Sequence, residues 1–266
     1  MRIISWNVNG IRAVEKKGEI QNLVNTYSPD IFFMQEIKGT PDKFSESMNH
    51  PEGYIAHYNP AEKAGYAGTG VWISSRMYDD YDVEFLDSFL GDPTANEGRV
   101  AHVKLTSKKS GEKVLHIFGI YFPNGGKSEQ AWHDKLVFYT EFAKYMDELR
   151  ASGAGVIWGG DINCAHQEID LARPKENDGK IGFHPLERAW LDGRVQDGWH
   201  DIWRTKNPDV RDVYSWWDVI TRSRERNVGW RIDALWADDI TIANIRNIEY
   251  LTNQMGSDHC PMMLDF

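Results

Sequence analysis

The sequence predicts an α/β protein in which two β-sheets pack face to face with helices on their outer surfaces. Three observations predict it. Short strand-like runs outnumber helical stretches, and the two do not alternate strictly as parallel βα units would. No internal repeat, low-complexity tract or Pro/Gly/Ser linker divides the 266 residues. Hydrophobic residues at 41% and charged residues at 26% lie near globular averages, enough to bury a core and to exclude wholesale disorder. One continuous domain over residues 1–266 is expected.

The strand-like runs, rich in β-branched and aromatic residues and bounded by turn formers, are Ile3 to Val8, Ile31 to Met34, Val71 to Ser74, Val100 to Leu105 and Val114 to Phe122. They continue with Val156 to Trp158, Ile232 to Trp236, Ile240 to Ile248 and Pro261 to Phe266. Helical patterns occupy about 19–27, 129–150 and 185–196, the last opening with Pro185 at a first helical position. In the longest, Trp132, Leu136, Tyr139, Phe142, Ala143 and Met146 share one face at 3.6-residue spacing, which marks a core helix and nothing more. Gly65-Tyr66-Ala67-Gly68-Thr69-Gly70 lacks the Lys-Ser/Thr of a phosphate-cradling loop and reads as a turn.

Composition also bounds function. No run approaches the roughly 18–20 apolar residues of a membrane helix, and Met1-Arg2-Ile3 enters a strand pattern directly, so a cytoplasmic protein without membrane attachment is expected. Cys164 and Cys260 are expected to be free, buried fillers. The net charge of -10 opposes indiscriminate polyanion binding, but the charge is segregated. Residues 79–97 carry Asp79, Asp80, Asp82, Glu84, Asp87, Asp92 and Glu97 with no Lys or Arg, a solvated edge. Residues 221–231 carry Arg222, Arg224, Arg226 and Arg231 against Glu225 alone.

Six segments share a feature: an apolar run stops at Asn, Asp, Glu, Tyr or His. They are Trp6-Asn7-Val8-Asn9-Gly10, Gln35-Glu36, Tyr121-Phe122-Pro123-Asn124, Gly160-Asp161-Ile162-Asn163, Arg231-Ile232-Asp233 and Ser257-Asp258-His259. Their union is rich in oxygen and poor in thiolate, which suits a hard divalent cation such as Mg²⁺ or Mn²⁺ better than zinc. One carboxylate to hold a metal and a second to take a proton from water would suffice for phosphodiester hydrolysis, with a charged histidine and amides to stabilise the pentacoordinate oxyanion.

Taken in order from position 6 to 261, these motifs resemble the exonuclease III family of abasic-site (AP) endonucleases. Gly160-Asp161-Ile162-Asn163 and Ser257-Asp258-His259 also occur in the wider superfamily of DNase I-like nucleases, sphingomyelinases and inositol-polyphosphate phosphatases. What narrows the resemblance is Ala165-His166-Gln167-Glu168-Ile169-Asp170-Leu171, Pro174-Lys175-Glu176-Asn177 and Arg226-Asn227-Val228-Gly229-Trp230-Arg231. The resemblance implies a four-layered α/β sandwich and a Mg²⁺-dependent endonuclease that cuts 5′ to an abasic site in double-stranded DNA. It also implies 3′→5′ exonuclease and 3′-end-cleaning activity and a role in base-excision repair; a monomer is expected. A phosphoesterase of the same fold acting on a phospholipid or inositol phosphate, and a non-catalytic DNA-binding relative, are the alternatives.

By the same resemblance Glu36 is the principal metal ligand, with Asn7 and Asp258 near it, and Asp161, Asn163 and His259 complete the metal set. Asp161 and Asn163 position and deprotonate the attacking water, His259 contacts the scissile phosphate, and Asp233 and Asp258 orient His259 and favour its charged form. Tyr121, Asn124 and Asn177 donate hydrogen bonds to the phosphate or the leaving oxygen. Trp216 and Trp230 pack against the flipped, base-free sugar, whereas Trp72, Trp132 and Trp158 are core. Arg12, Lys16, Tyr66 and Lys127 contact the DNA backbone, and the loop with Arg222 and Arg224 tracks the duplex. Asn9 stands where several relatives carry Asp, Trp216 where some carry Phe, and Lys127 where some carry Arg; the last departure implies a shorter residence on product.

Overall fold

The computed structural model describes residues 1–111 and 113–266. Its strands are β1 (Arg2–Asn7), β2 (Ile31–Gln35), β3 (Tyr54–Asn59), β4 (Thr69–Ser74), β5 (Tyr81–Leu86) and β6 (Val100–Ser107), then β7 (Val114–Tyr121), β8 (Gly155–Asp161), β9 (Trp199–Asp201), β10 (Asp233–Asp238), β11 (Asn247–Tyr250) and β12 (Met262–Asp265). They form two six-stranded sheets, ordered β11-β12-β1-β2-β4-β3 and β5-β6-β7-β8-β10-β9. Both sheets are mixed: β1 with β2 and β7 with β8 run parallel, and the remaining neighbours are antiparallel.

Strand periodicity explains the layers. On β2, Phe33 points between the sheets and packs with Ile3, Val71, Val103, Ile117 and Leu235. Its neighbours Phe32 and Met34 point outward and join Trp6 and Trp72 against Leu23 and Val24 of helix Glu19–Tyr27. On the second sheet, Phe118, Ile120, Trp158 and Trp236 face Phe138, Phe142 and Met146 of helix Glu129–Ala151. Helices therefore cover both outer faces, as the four-layered expectation requires. The sheets meet closely at Gly119, where a Cβ would lie 2.3 Å from the Phe33 ring. Any side chain there would push the layers apart.

The three expected helices are present, at Glu19–Tyr27, Glu129–Ala151 and Pro185–Gln196. The expected strand from Ile240 to Ile248 is a correction. Asp238 caps a helical turn, Asp239–Ile242, by accepting from the Ile240 and Thr241 amides, and β11 begins only at Asn247. That local hydrogen bonding overrides the β-branched composition of the run. The acidic stretch contains β5, an edge strand whose charged side chains face solvent, a common protection against edge pairing. Trp132 is also corrected: it is half-buried, with its ring edge against His184 at 4.8 Å.

Candidate active site

Sheet register gathers the site. β1 ends at Asn7 beside the end of β2, where Asn7 pairs with Gln35 and Glu36 follows. On the other sheet, Tyr121 at the end of β7 pairs with Asp161 at the end of β8, and the start of antiparallel β10 sets Asp233 opposite Asp161. β12 runs antiparallel to β1, so the Ser257–His259 segment before it arrives at the same end. Glu36, Tyr121, Asn124, Asp161, Asn163, Trp216, Trp230, Asp258 and His259 then line one cleft of about 320 Å³ with Ile181, Gly182 and Ile232. Glu36, Lys38, Asn9 and Asn163 all hold positive φ near 42–51° at this end, a concentration of backbone strain typical of functional sites.

Asp161 and His259 are buried. The Asn7 amide donates to Glu36 Oε1 and to Asp161 Oδ2, both at 2.8 Å, holding the two carboxylates on one donor. Burial, and then the nearby charge of Asp233, raise the Asp161 carboxyl to about 7, although His259 opposes the shift. His259 lies 2.8 Å from Asp233 through Nδ1 and 3.9 Å from Asp161 through Nε2. Burial resists a charge on that imidazole, but Asp233 and Asp161 overcome it and raise it to about 10, so it is an imidazolium at neutral pH. Burial raises the Tyr121 phenol well above its ordinary value, and Glu36 and Asp161 add to this, which keeps the hydroxyl a donor.

Beside this polar half is an apolar wall. Trp216 and Trp230 are only partly buried and rest on a small separate cluster of Ala165, Leu171, Phe183 and Ile232. Asp170 secures that cluster: it accepts from Arg231 Nε at 2.8 Å and Arg204 Nη2 at 2.6 Å, and Arg231 also pairs with Asp201 at 2.7 Å. Burial would raise the Asp170 carboxyl, yet the Arg231 charge and the two arginine hydrogen bonds lower it to about 2. The Ala165–Leu171 and Arg226–Arg231 motifs thus brace the wall between them.

A family model described as endonuclease/exonuclease/phosphatase matches residues 4–259. The chain belongs to the endonuclease/exonuclease/phosphatase family. It is 31% identical to an exodeoxyribonuclease of Bacillus subtilis over 264 residues, covering 99% of this chain and 98% of that protein. It is 32% identical to the DNA-(apurinic or apyrimidinic site) endonuclease of Dictyostelium discoideum, covering 98% of this chain and 69% of that protein. Among solved structures it matches an AP endonuclease from Leishmania major at a TM-score of 0.85 and 25% identity, over 99% of this chain and 86% of the other.

In this member of the endonuclease/exonuclease/phosphatase family, three of the six expected metal residues come together. Glu36, Asp161 and His259 each offer a ligand atom, all within 4.8 Å of one another. Two carboxylates facing one point suit a hard cation that keeps several waters. Asn7 is a correction, because its Oδ1 accepts from the Asn9 amide and its nitrogen faces the carboxylates. Asn163 Oδ1 accepts from Asn124, so it braces the loop instead of facing a metal. His259, bonded through Nδ1 to Asp233, turns Nε2 toward this group, 3.9 Å from Asp161 Oδ2. Asp258 is tied by Oδ1 to Asn9 and by Oδ2 to the Trp216 indole, outside the Glu36–Asp161 group.

The expected DNA contacts divide similarly. Arg12 and Tyr66 line a neighbouring hollow with Lys38, Lys43 and Lys63, and Lys127 lies 5.6 Å from the Tyr66 ring centre. Lys16 and Arg222 are exposed. Arg224 is corrected: its guanidinium donates to the Thr252, Gln254 and Ser257 carbonyls and covers the Trp217 ring, so it braces the His259 loop. Asn177 lies outside the cleft, its amide donating to Arg173 and accepting from Lys180. Sequence reading missed Lys38, whose ammonium sits 2.6 Å from Glu36 Oε2. Its signal was a cation two residues after a candidate ligand. It also missed Ile181 and Ile232, which complete the apolar wall.

Proposed function

We propose that the chain is a Mg²⁺- or Mn²⁺-dependent AP endonuclease of base-excision repair, which hydrolyses the phosphodiester 5′ to an abasic site in double-stranded DNA and leaves a 3′-hydroxyl. Removal of 3′-terminal nucleotides and blocking phosphates would use the same groups. The observation that carries this reading is one cleft that joins Asp161 and His259 to the Trp216–Trp230 wall. The names borne by the relatives support it.

Asp161, with a carboxyl near 7, takes the proton of the attacking water at neutral pH, where a base of that strength is most effective. Asn163 keeps Asp161 aimed by donating its amide N–H to Oδ1 at 2.9 Å. His259 directs a charged N–H at a phosphoryl oxygen, and Asp233 holds its ring in place. Tyr121 and Asn124 donate from the side of the leaving oxygen. Glu36 would hold the cation with Asp161 at its edge and water elsewhere, and the bound ion would neutralise charge on the phosphate. Trp216, Trp230, Ile181 and Ile232 pack the sugar, and a normal nucleotide is refused because its base would collide with that wall.

A labelled duplex with one abasic analogue tests this. Wild type plus Mg²⁺ should incise 5′ to the analogue, EDTA should stop it, and Asp161→Asn should lose activity by about 10²–10⁴-fold. Equal incision by Asp161→Asn, or turnover of a phospholipid or inositol phosphate with none of DNA, would overturn the reading.

A further inference from the structure

We propose that Lys135 is a positioning residue for the hydrolysis: its buried ammonium ties together the loops that carry Asn124 and Asn163, and through Glu187 the loop that carries Gly182. The inference rests on the cleft having the role given above and deepens it.

Lys135 lies on helix Glu129–Ala151, and its side chain is 0% exposed, as is that of Glu187 on helix Pro185–Gln196. The ammonium donates to the Asn124 carbonyl at 3.2 Å and the Asn163 carbonyl at 3.0 Å, and stands 2.5 Å from Glu187 Oε1. Glu187 Oε2 accepts from the amides of Gly182 at 2.7 Å and His184 at 2.9 Å. Three loops that follow different elements, each lining the cleft, therefore share one anchor.

The tether reaches the reacting groups in one step. Asn163, at φ 50°, turns its N–H to Asp161 Oδ1 and its carbonyl to Lys135 at the same time. Its side chain accepts from Asn124 and donates to the Phe122 carbonyl. At Gly125, φ 82°, a Cβ would meet the Lys135 stem at 3.0 Å, so the Asn124 loop lies directly on that side chain.

Stability alone does not account for such a pair. Taking two charges out of water costs about as much as their attraction returns, and an apolar pair of similar volume often serves folding equally well. An apolar residue could not donate to two loop carbonyls at once. A second buried ion-pair cluster at this end, Asp170 with Arg231, supports the apolar wall, whereas Lys135 holds the polar half.

The test compares Lys135→Met, Glu187→Gln and the double variant for kcat and KM on abasic duplex, for the unfolding midpoint, and for amide hydrogen exchange over residues 122–126 and 161–165. Lys135→Met should lower kcat by on the order of 100-fold with KM little changed, since a misplacement of about 1 Å carries that penalty. It should also speed exchange in both segments. In the double variant no charge stays buried without a partner, so the midpoint should recover while kcat stays low. Wild-type kcat in Lys135→Met, or a kcat that returns with the midpoint in the double variant, would overturn the proposal. If Lys135→Met does not fold, the double variant decides alone. If wild type leaves abasic duplex uncut, the functional reading falls; exchange rates and turnover of bis(4-nitrophenyl) phosphate by the same variants then decide the role of Lys135.

Discussion

At the residue scale the site is a balance of buried charges. Asp161, raised to about 7, must lose its proton to act as a base, and His259, raised to about 10, must keep its own. Activity should therefore climb as pH rises through the range in which Asp161 deprotonates, which a bound cation would bring below about 7, and fall as it passes about 10, a bell whose limbs belong to the coupled groups together. Asp233→Asn removes a main support of the His259 charge and a cause of the Asp161 shift, so both limbs should move to lower pH. A pH profile of kcat/KM checks this, and unmoved limbs would refute it. The acidic and amide groups were legible because each strand run stops at one of them. Which atom of Asn7 or Asn163 faces the cleft was not, since an amide carries a donor and an acceptor on one stem. Lys135 was hidden because lysine on an amphipathic helix ordinarily lies on its wet face. Its spacing of four from Tyr139 and seven from Phe142, both buried, placed it on the core stripe all the same.

At the element scale the strongest patterns, the three helices and the long central strands, were readable because burial on defined faces sets their periodicity. β3, β5 and β9 were not: β3 is only partly covered, β5 is an acidic edge strand, and β9 has three residues. The pairing of β6 with β7 has a further consequence. His102 Nε2 and His116 Nδ1 lie 2.8 Å apart, and a hydrogen bond between them requires that one of the two nitrogens carry no proton, so the pair cannot take up a proton on both rings and keep it. Burial, with the neighbouring His116 and Lys104, lowers His102 to about 2; burial and Lys104 lower His116 to about 4. The unfolded chain takes up these protons below about 6.5 and the folded chain does not. Their contribution to stability is thus present above about pH 6.5 and is lost as pH falls toward 4 and below. Urea unfolding at a series of pH values should show this decline, and replacing both histidines with leucine should flatten it. An equally steep decline in that variant would assign it to other groups.

At the scale of the whole molecule, a chain with a net charge of -10 must bind a polyanion through local positive charge. The hollow of Arg12, Lys38, Lys43 and Lys63 beside Tyr66 and Lys127 supplies it next to the cleft. Affinity for duplex should fall steeply with salt, and Arg12→Ala and Lys127→Ala should each reduce the log–log slope by about 1. An unchanged slope would mean that neither touches a phosphate. The segregation of charge was legible in the composition, but the hollow was not, because it joins residues near 12, 40 and 63 that only the fold brings together. The placement of β12 bears on both fold and site. It is an interior strand, between β11 and β1, and His259 lies just ahead of it. Removing residues 259–266 should therefore take away the imidazolium and leave β1 without one of its two neighbours, so the last eight residues are expected to be indispensable both to the sheet and to turnover.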